Sequence, residues 1–133
     1  MKVVHVSGTR KRAVARTTMR QGKGYVRINN QRLDTFEPKI ARLMIEEPLR
    51  MASEYSDKVN IDVNVFGGGW HSQAEAVRLS VARALVEFSK SKELKQRFLE
   101  YDRHLLVADV RRNESAKPND SGKPRKKRQK SYR

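Results

Sequence analysis

The chain has 133 residues, no cysteine, and a net charge of +15 from 30 Lys/Arg against 15 Asp/Glu. That length holds one domain of about 110 residues with an arm to spare, and the missing cysteines exclude disulfides and thiolate metal sites. No run of about 18 apolar residues and no signal-peptide core follows Met1, so a soluble chain with no membrane partner is expected, and the charge excess points to a polyanion.

Val3, Val4 and Val6 form a β-branched run that Ser7-Gly8-Thr9 interrupts, which predicts a strand followed by a turn. Residues 13–20 then alternate, with Ala13, Ala15, Thr17 and Met19 on one face and Val14, Arg16, Thr18 and Arg20 on the other. Arg12 joins the second face, so three guanidiniums repeat every four residues, about 13 Å apart along a strand. Arginine suits phosphate because its planar fork binds two oxygens together. Gln21-Gly22-Lys23-Gly24 is a hairpin turn, Tyr25 to Asn29 alternate as a third strand, and Asn29-Asn30-Gln31-Arg32 close it with another turn.

From Glu37-Pro38 the period becomes helical through Ile40, Leu43, Met44, Leu49, Ala52 and Tyr55, and Pro48 is expected to kink or divide that helix. In residues 59–66, Val59, Ile61, Val63 and Val65 occupy one face and Asn60, Asp62 and Asn64 the other, the pattern of a half-buried strand. Gly67-Gly68-Gly69 ends it. Ser72-Gln73-Ala74-Glu75 has the form of a capping box, and the helix that follows carries Val77, Val81, Ala84, Leu85 and Phe88 on one stripe, with Arg78 and Arg83 off it. A shorter helix over 93–101 presents Leu94, Phe98 and Tyr101, and Leu105, Leu106 and Val107 dock the chain. The order predicts an α+β fold: two layers, a mostly antiparallel four-stranded sheet with helices on one face, built from residues 1–110.

Residues 111–133 are an arm of different composition. Ten Lys/Arg (Arg111, Arg112, Lys117, Lys123, Arg125, Lys126, Lys127, Arg128, Lys130, Arg133) face only Glu114 and Asp120, a net +8 that leaves +7 for the body. The arm holds no Val, Ile, Leu, Phe or Met. Ordering it alone costs roughly 1–2 kcal/mol of backbone entropy per residue with almost no apolar burial in return, so an extended basic tail, disordered when free, is expected. A solubility tail or a nuclear address is the plainer reading, but the inequality of the two signs favours an arm that binds a polyanion. Extended, it reaches about 75 Å at about 3.3 Å per residue.

No constellation points to catalysis. The triple glycine could cradle a phosphate, but no Lys-Ser/Thr follows as in a nucleotide-binding loop, and Trp70 reads as a packing residue at the start of the helix. His5, His71 and His104 are scattered without ligand spacing, and Glu46-Glu47 are neighbours whose side chains diverge on a helix. The expectation is a protein that is not an enzyme, with no catalytic residue, metal, cofactor or small-molecule substrate.

Several blocks resemble one family, the universal small-subunit ribosomal protein S-nine family in its archaeal-type form. They are Gly8-Thr9-Arg10-Lys11-Arg12-Ala13-Val14-Ala15-Arg16, Gly22-Lys23-Gly24 with Ile28-Asn29, Gly67-Gly68-Gly69 with Gln73-Ala74, and Ala82-Arg83-Ala84-Leu85. Asp109-Val110-Arg111-Arg112 with Glu114 and the terminal Arg128-Gln129-Lys130-Ser131-Tyr132-Arg133 complete the set. The resemblance implies a fold like the second domain of ribosomal protein S-five, with its left-handed crossover, and a cytoplasmic location in the ribosome. It implies partners too: small-subunit rRNA in the subunit head, neighbouring ribosomal proteins there, and peptidyl-site tRNA, whose anticodon stem-loop the tail reaches. Lys130, Ser131, Tyr132 and Arg133 are then the tRNA-proximal residues. The rRNA-binding set is Arg10, Lys11, Arg12, Arg16, Arg20, Lys23, Arg78 and Arg83 in the body, with Arg111, Arg112, Lys117, Lys123, Arg125, Lys126, Lys127 and Arg128 in the arm. Two rivals follow from the residues: a basic DNA-architectural protein, which would prefer duplex DNA, and an RNA-processing enzyme, which would need clustered carboxylates or a metal.

Overall fold

Five strands form one sheet in the spatial order β1-β2-β5-β3-β4: β1 Val3–Arg10, β2 Ala13–Gln21, β3 Val26–Ile28, β4 Gln31–Arg32 and β5 Val59–Phe66. Among the described residues four α-helices accompany them, α1 Lys39–Met51, α2 Ser53–Ser56, α3 Trp70–Ser89 and α4 Lys92–Tyr101. This computed structural model describes residues 3–111 with Ser115, Ala116 and Pro118; the expectations for Arg112, Lys117, Lys123, Arg125, Lys126, Lys127, Arg128, Lys130, Ser131, Tyr132 and Arg133 lie outside the described residues. β1/β2, β2/β5 and β3/β4 are antiparallel and β3/β5 parallel, so the sheet is mixed.

The sheet has five strands, not four. Asn29 and Asn30 both take left-handed φ, 52° and 65°, and so reverse the chain in a two-residue turn that brings Gln31 opposite Ile28. Asparagine tolerates that region because its side chain bonds locally. Here Asn29 does more: its Oδ1 accepts from the Val65 amide at 2.9 Å and its Nδ2 donates to the Val65 carbonyl at 3.1 Å, tying the turn to β5. β1 likewise runs unbroken through Ser7, Gly8 and Thr9. Gly8 permits it: a Cβ there would lie 2.7 Å from the Ala76 carbonyl and 2.9 Å from the Ser80 amide, so its absence lets α3 press onto the strand.

Two helix boundaries also differ from expectation. α1 passes through Pro48 without dividing; the break comes at Ala52, whose amide still bonds the Pro48 carbonyl at 3.1 Å. A proline removes one ladder bond; here Pro48 is buried, and the helix continues past it to Met51. α3 starts at Trp70 with Gly69 as its cap, because Gly67 (φ 79°) and Gly68 (φ 65°) turn β5 directly into the helix. Ser72 therefore stands inside the first turn, and Glu75 is engaged elsewhere. A side-chain cap does occur on α4, where Ser91 accepts from the Leu94 amide.

The core lies between the sheet and the helices. Val59, Ile61, Val63 and Val65 of β5 and Ala13, Ala15, Thr17 and Met19 of β2 point into it, as their alternation predicts. α3 packs against β1, β2 and β5 and, on its far side, against α1. Being covered on both sides, it buries Ala74, Ala76, Leu79, Ser80 and Ala82 in addition to Val77, Val81, Ala84 and Leu85. Phe98 and Leu94 of α4 and Leu105 beyond it complete the core, and Leu106 packs at its margin. The two buried hydroxyls form one chain. Ser80 donates to the Val6 carbonyl at 3.1 Å, which leaves its oxygen to accept from Thr17.

Candidate nucleic-acid interface

The residues that alternate out of the core form the other face of the sheet, and the strand register sets them in rows. Val3, Arg20 and Asn60 stand side by side; so do His5, Thr18, Asp62, Arg27 and Arg32; so do Ser7, Arg16 and Asn64. Arg16, Arg20, Arg27 and Arg32 are exposed, and Asp62 is the one acid in these rows. The Arg32 guanidinium lies 3.6 Å from Asp34, with both side chains in water. Arg16, Arg20 and Arg27 have no carboxylate partner among the described residues. Two of these cations lie over aromatic rings: Arg16 is 5.6 Å from the Phe66 centroid and Arg27 is 4.4 Å from that of Tyr25. Such contacts hold a guanidinium flat while its N–H edge still points outward. Lys11 and Arg12, in the turn between β1 and β2, and Lys23, in the next turn, are exposed at the ends of this face.

The remaining body arginines of the expected set are spent inside the molecule. Arg78 donates through Nε and Nη2 to Glu47 at 3.1 and 2.7 Å and through Nη1 to Asp102 at 3.2 Å, joining α3, α1 and the end of α4. Arg83 donates to the Leu106 carbonyl at 2.9 Å and the Ser7 carbonyl at 3.2 Å. Arg10 ends β1 on the core side and binds Glu75 at 2.6 Å, with Asp109 at 3.7 Å and the Arg111 carbonyl at 3.2 Å. Arg111 closes back on Asp109 at 2.6 Å. Hydrogen bonds from the Arg111 side chain and then its amide, with the charge of Arg10 beside them, hold the Asp109 carboxyl far below the ordinary carboxylate range against the opposing push of burial. The same pairing raises Arg111. These groups line a cleft of about 290 Å³ in which Arg10, Arg78 and Arg111 meet Glu47, Glu75, Asp102 and Asp109. A cleft with that balance offers little attraction to a phosphate.

The sequence therefore brings two kinds of arginine to the surface, and the register separates them. Arg27, Arg32, Tyr25 and Phe66 belong to the exposed face although the sequence reading left them out of the binding set. The alternation of Tyr25 and Arg27 was the available signal, but only the β3–β5 pairing shows that it faces the same way as Arg16. Among the described residues no group of three or more His, Cys, Asp or Glu side chains is arranged to hold a metal. No helix among them is long and apolar enough to cross a membrane.

A family profile described as "Ribosomal protein S9/S16" matches residues 8–133. The small ribosomal subunit protein uS9 of Methanococcus maripaludis is 48% identical over 134 residues, covering 100% of both chains. That of Methanococcus vannielii shows the same identity over the same coverage. With a profile match over nearly the whole length and full-length relatives at this identity, the chain belongs to the ribosomal protein S9/S16 family.

Proposed function

We propose that this chain is a structural constituent of the small ribosomal subunit that binds rRNA of the subunit head through the open face of its sheet. The supporting observation is the division of its arginines: among the described residues Arg16, Arg20 and Arg27 project without carboxylate partners, whereas Arg10, Arg78 and Arg83 are held by acceptors within the chain. Unpaired surface guanidiniums repel one another and lower their energy when phosphates replace the counterions between them. Lys11, Arg12 and Lys23 extend that surface, and Arg10, Arg78, Arg83 and Arg111 serve it by fixing the framework. The left-handed crossover between β3 and β5 is part of the same reading by family membership.

The arm completes the proposal. Arg112, Lys117, Lys123 and the run Arg125 to Arg128 neutralise rRNA phosphates along its length. Lys130, Ser131, Tyr132 and Arg133 meet the anticodon stem-loop of peptidyl-site tRNA, positioning it without chemistry. The test uses purified small subunits carrying either the full chain or one lacking residues 129–133. Weaker peptidyl-site tRNA binding and faster dissociation, at unchanged subunit composition, are expected. Unaltered affinity and off-rate overturn the tRNA contact and leave the arm as an rRNA-binding element.

A further inference from the structure

We infer that Trp70 and Phe66 form a stacking site for an unpaired RNA base, with Lys11, Arg12 and Arg16 holding the adjacent phosphates; this rests on the RNA-binding reading above. Both aromatic residues flank the triple-glycine turn, and both are about half exposed, Phe66 at 52% and Trp70 at 48%. Trp70, expected to pack at the start of the helix, is only half covered there. Its ring meets that of His71 edge-on, centroids 5.5 Å apart at 70°, and so is not stacked face to face with it. Gly69 keeps the approach clear, since nothing lies within 4 Å of where its Cβ would stand.

The cations come to the same place by backbone packing. Gly67 is pressed against the Arg12 carbonyl, and a Cβ on Gly68 would lie 3.3 Å from the Ala13 amide. The turn bearing Lys11 and Arg12 is thus fixed beside the glycine turn, and Arg16 lies over Phe66. Glu75, one turn along α3 from His71, is engaged by Arg10 at 2.6 Å and by His71 at 3.6 Å. Exposed rings ringed by cations suit a partner that is flat and apolar at one point and anionic at the next, which describes a nucleotide whose base has left its stack. An apolar protein surface would instead have to bury Lys11, Arg12 and Arg16 unpaired.

Trp70 is the single tryptophan, so its fluorescence reports this site alone. The full chain is titrated with a short oligoadenylate, with an abasic oligomer of equal charge, and with a fully paired RNA duplex, while labelled-RNA anisotropy records binding. Oligoadenylate should quench Trp70 with the midpoint that anisotropy gives, and the abasic oligomer and duplex should bind with little quenching. Trp70→Ala should weaken oligoadenylate binding about 5- to 150-fold and leave abasic binding unchanged, whereas Trp70→Phe should keep most of the affinity. If oligoadenylate binds without quenching and Trp70→Ala binds as tightly as the parent, the stacking site is wrong while RNA binding stands. If none of the three oligomers binds, both readings fail together.

Discussion

Replacing Arg16, Arg20 and Arg27 together by glutamine separates the two classes of arginine. Each phosphate neutralised by a cation releases counterions and steepens the fall of log affinity with log salt by about 0.7–0.9. Losing three such contacts should therefore flatten that slope by roughly 2–3. Between about 50 and 200 mM salt, the parent should lose about 20- to 40-fold more affinity for small-subunit rRNA than the variant does. Stability should hardly change, because exposed positions of this kind usually shift it by no more than about 0.5 kcal/mol, with a little more where Arg16 leaves the Phe66 ring. The control is Arg78→Gln, which removes one such charge from a side chain only 12% exposed and strands Glu47 and Asp102. It should cost about 1–3 kcal/mol in denaturant unfolding and leave the salt slope almost unaltered. Filter or anisotropy titrations across a salt series measure both. A triple variant with the parent's slope, or an Arg78 variant that flattens it, refutes the assignment of the binding surface to the open face.

Two further outcomes follow from local geometry. Gly8→Ala should overpack the contact between β1 and α3, costing about 1–3 kcal/mol and lowering Tm by several degrees; an unchanged Tm would mean the two backbones are not held this close. The lowered Asp109 group contributes stability that is present above its unfolded value of 3.8 and is lost as pH falls through its folded value. Its carboxyl carbon resonance should thus stay flat on acidification past 3.8 in the parent, and move at a higher pH in Arg111→Gln, which keeps the amide bond and the Arg10 charge but loses the guanidinium. Titration of the parent near the ordinary value would show that the clasp is not formed.

Much of the fold could be read from period alone. β2 and β5 alternate strictly because one face is core and the other is not, and the stripe on α3 follows its contact with the sheet. What escaped was set by tertiary contact. β4 is two residues long and exists through its register with β3, so no pattern could mark it. Ser7-Gly8-Thr9 carries turn composition, yet the strand continues because Gly8 makes room for a helix nearly seventy residues away. The capping-box spelling at Ser72 lost to the glycine turn that starts α3 two residues earlier. The site was legible as charge and not as allocation. Arg10 and Glu75 are 65 positions apart, and Arg78 and Glu47 are 31 apart, so nothing local distinguishes them from Arg16 and Arg20.

That allocation governs how freely the sequence can drift. Arg10, Arg78 and Arg83 each spend at least two guanidinium nitrogens on acceptors that belong to different segments. Lysine offers one compact ammonium and cannot span such a pair, so at these positions the exchange keeps the charge and breaks the joint. On the open face the currency is charge at a point, and Arg20, which braces nothing, can become lysine at small cost. Descendants of this chain could keep the same total charge by many substitutions while only a few of its arginines stayed irreplaceable.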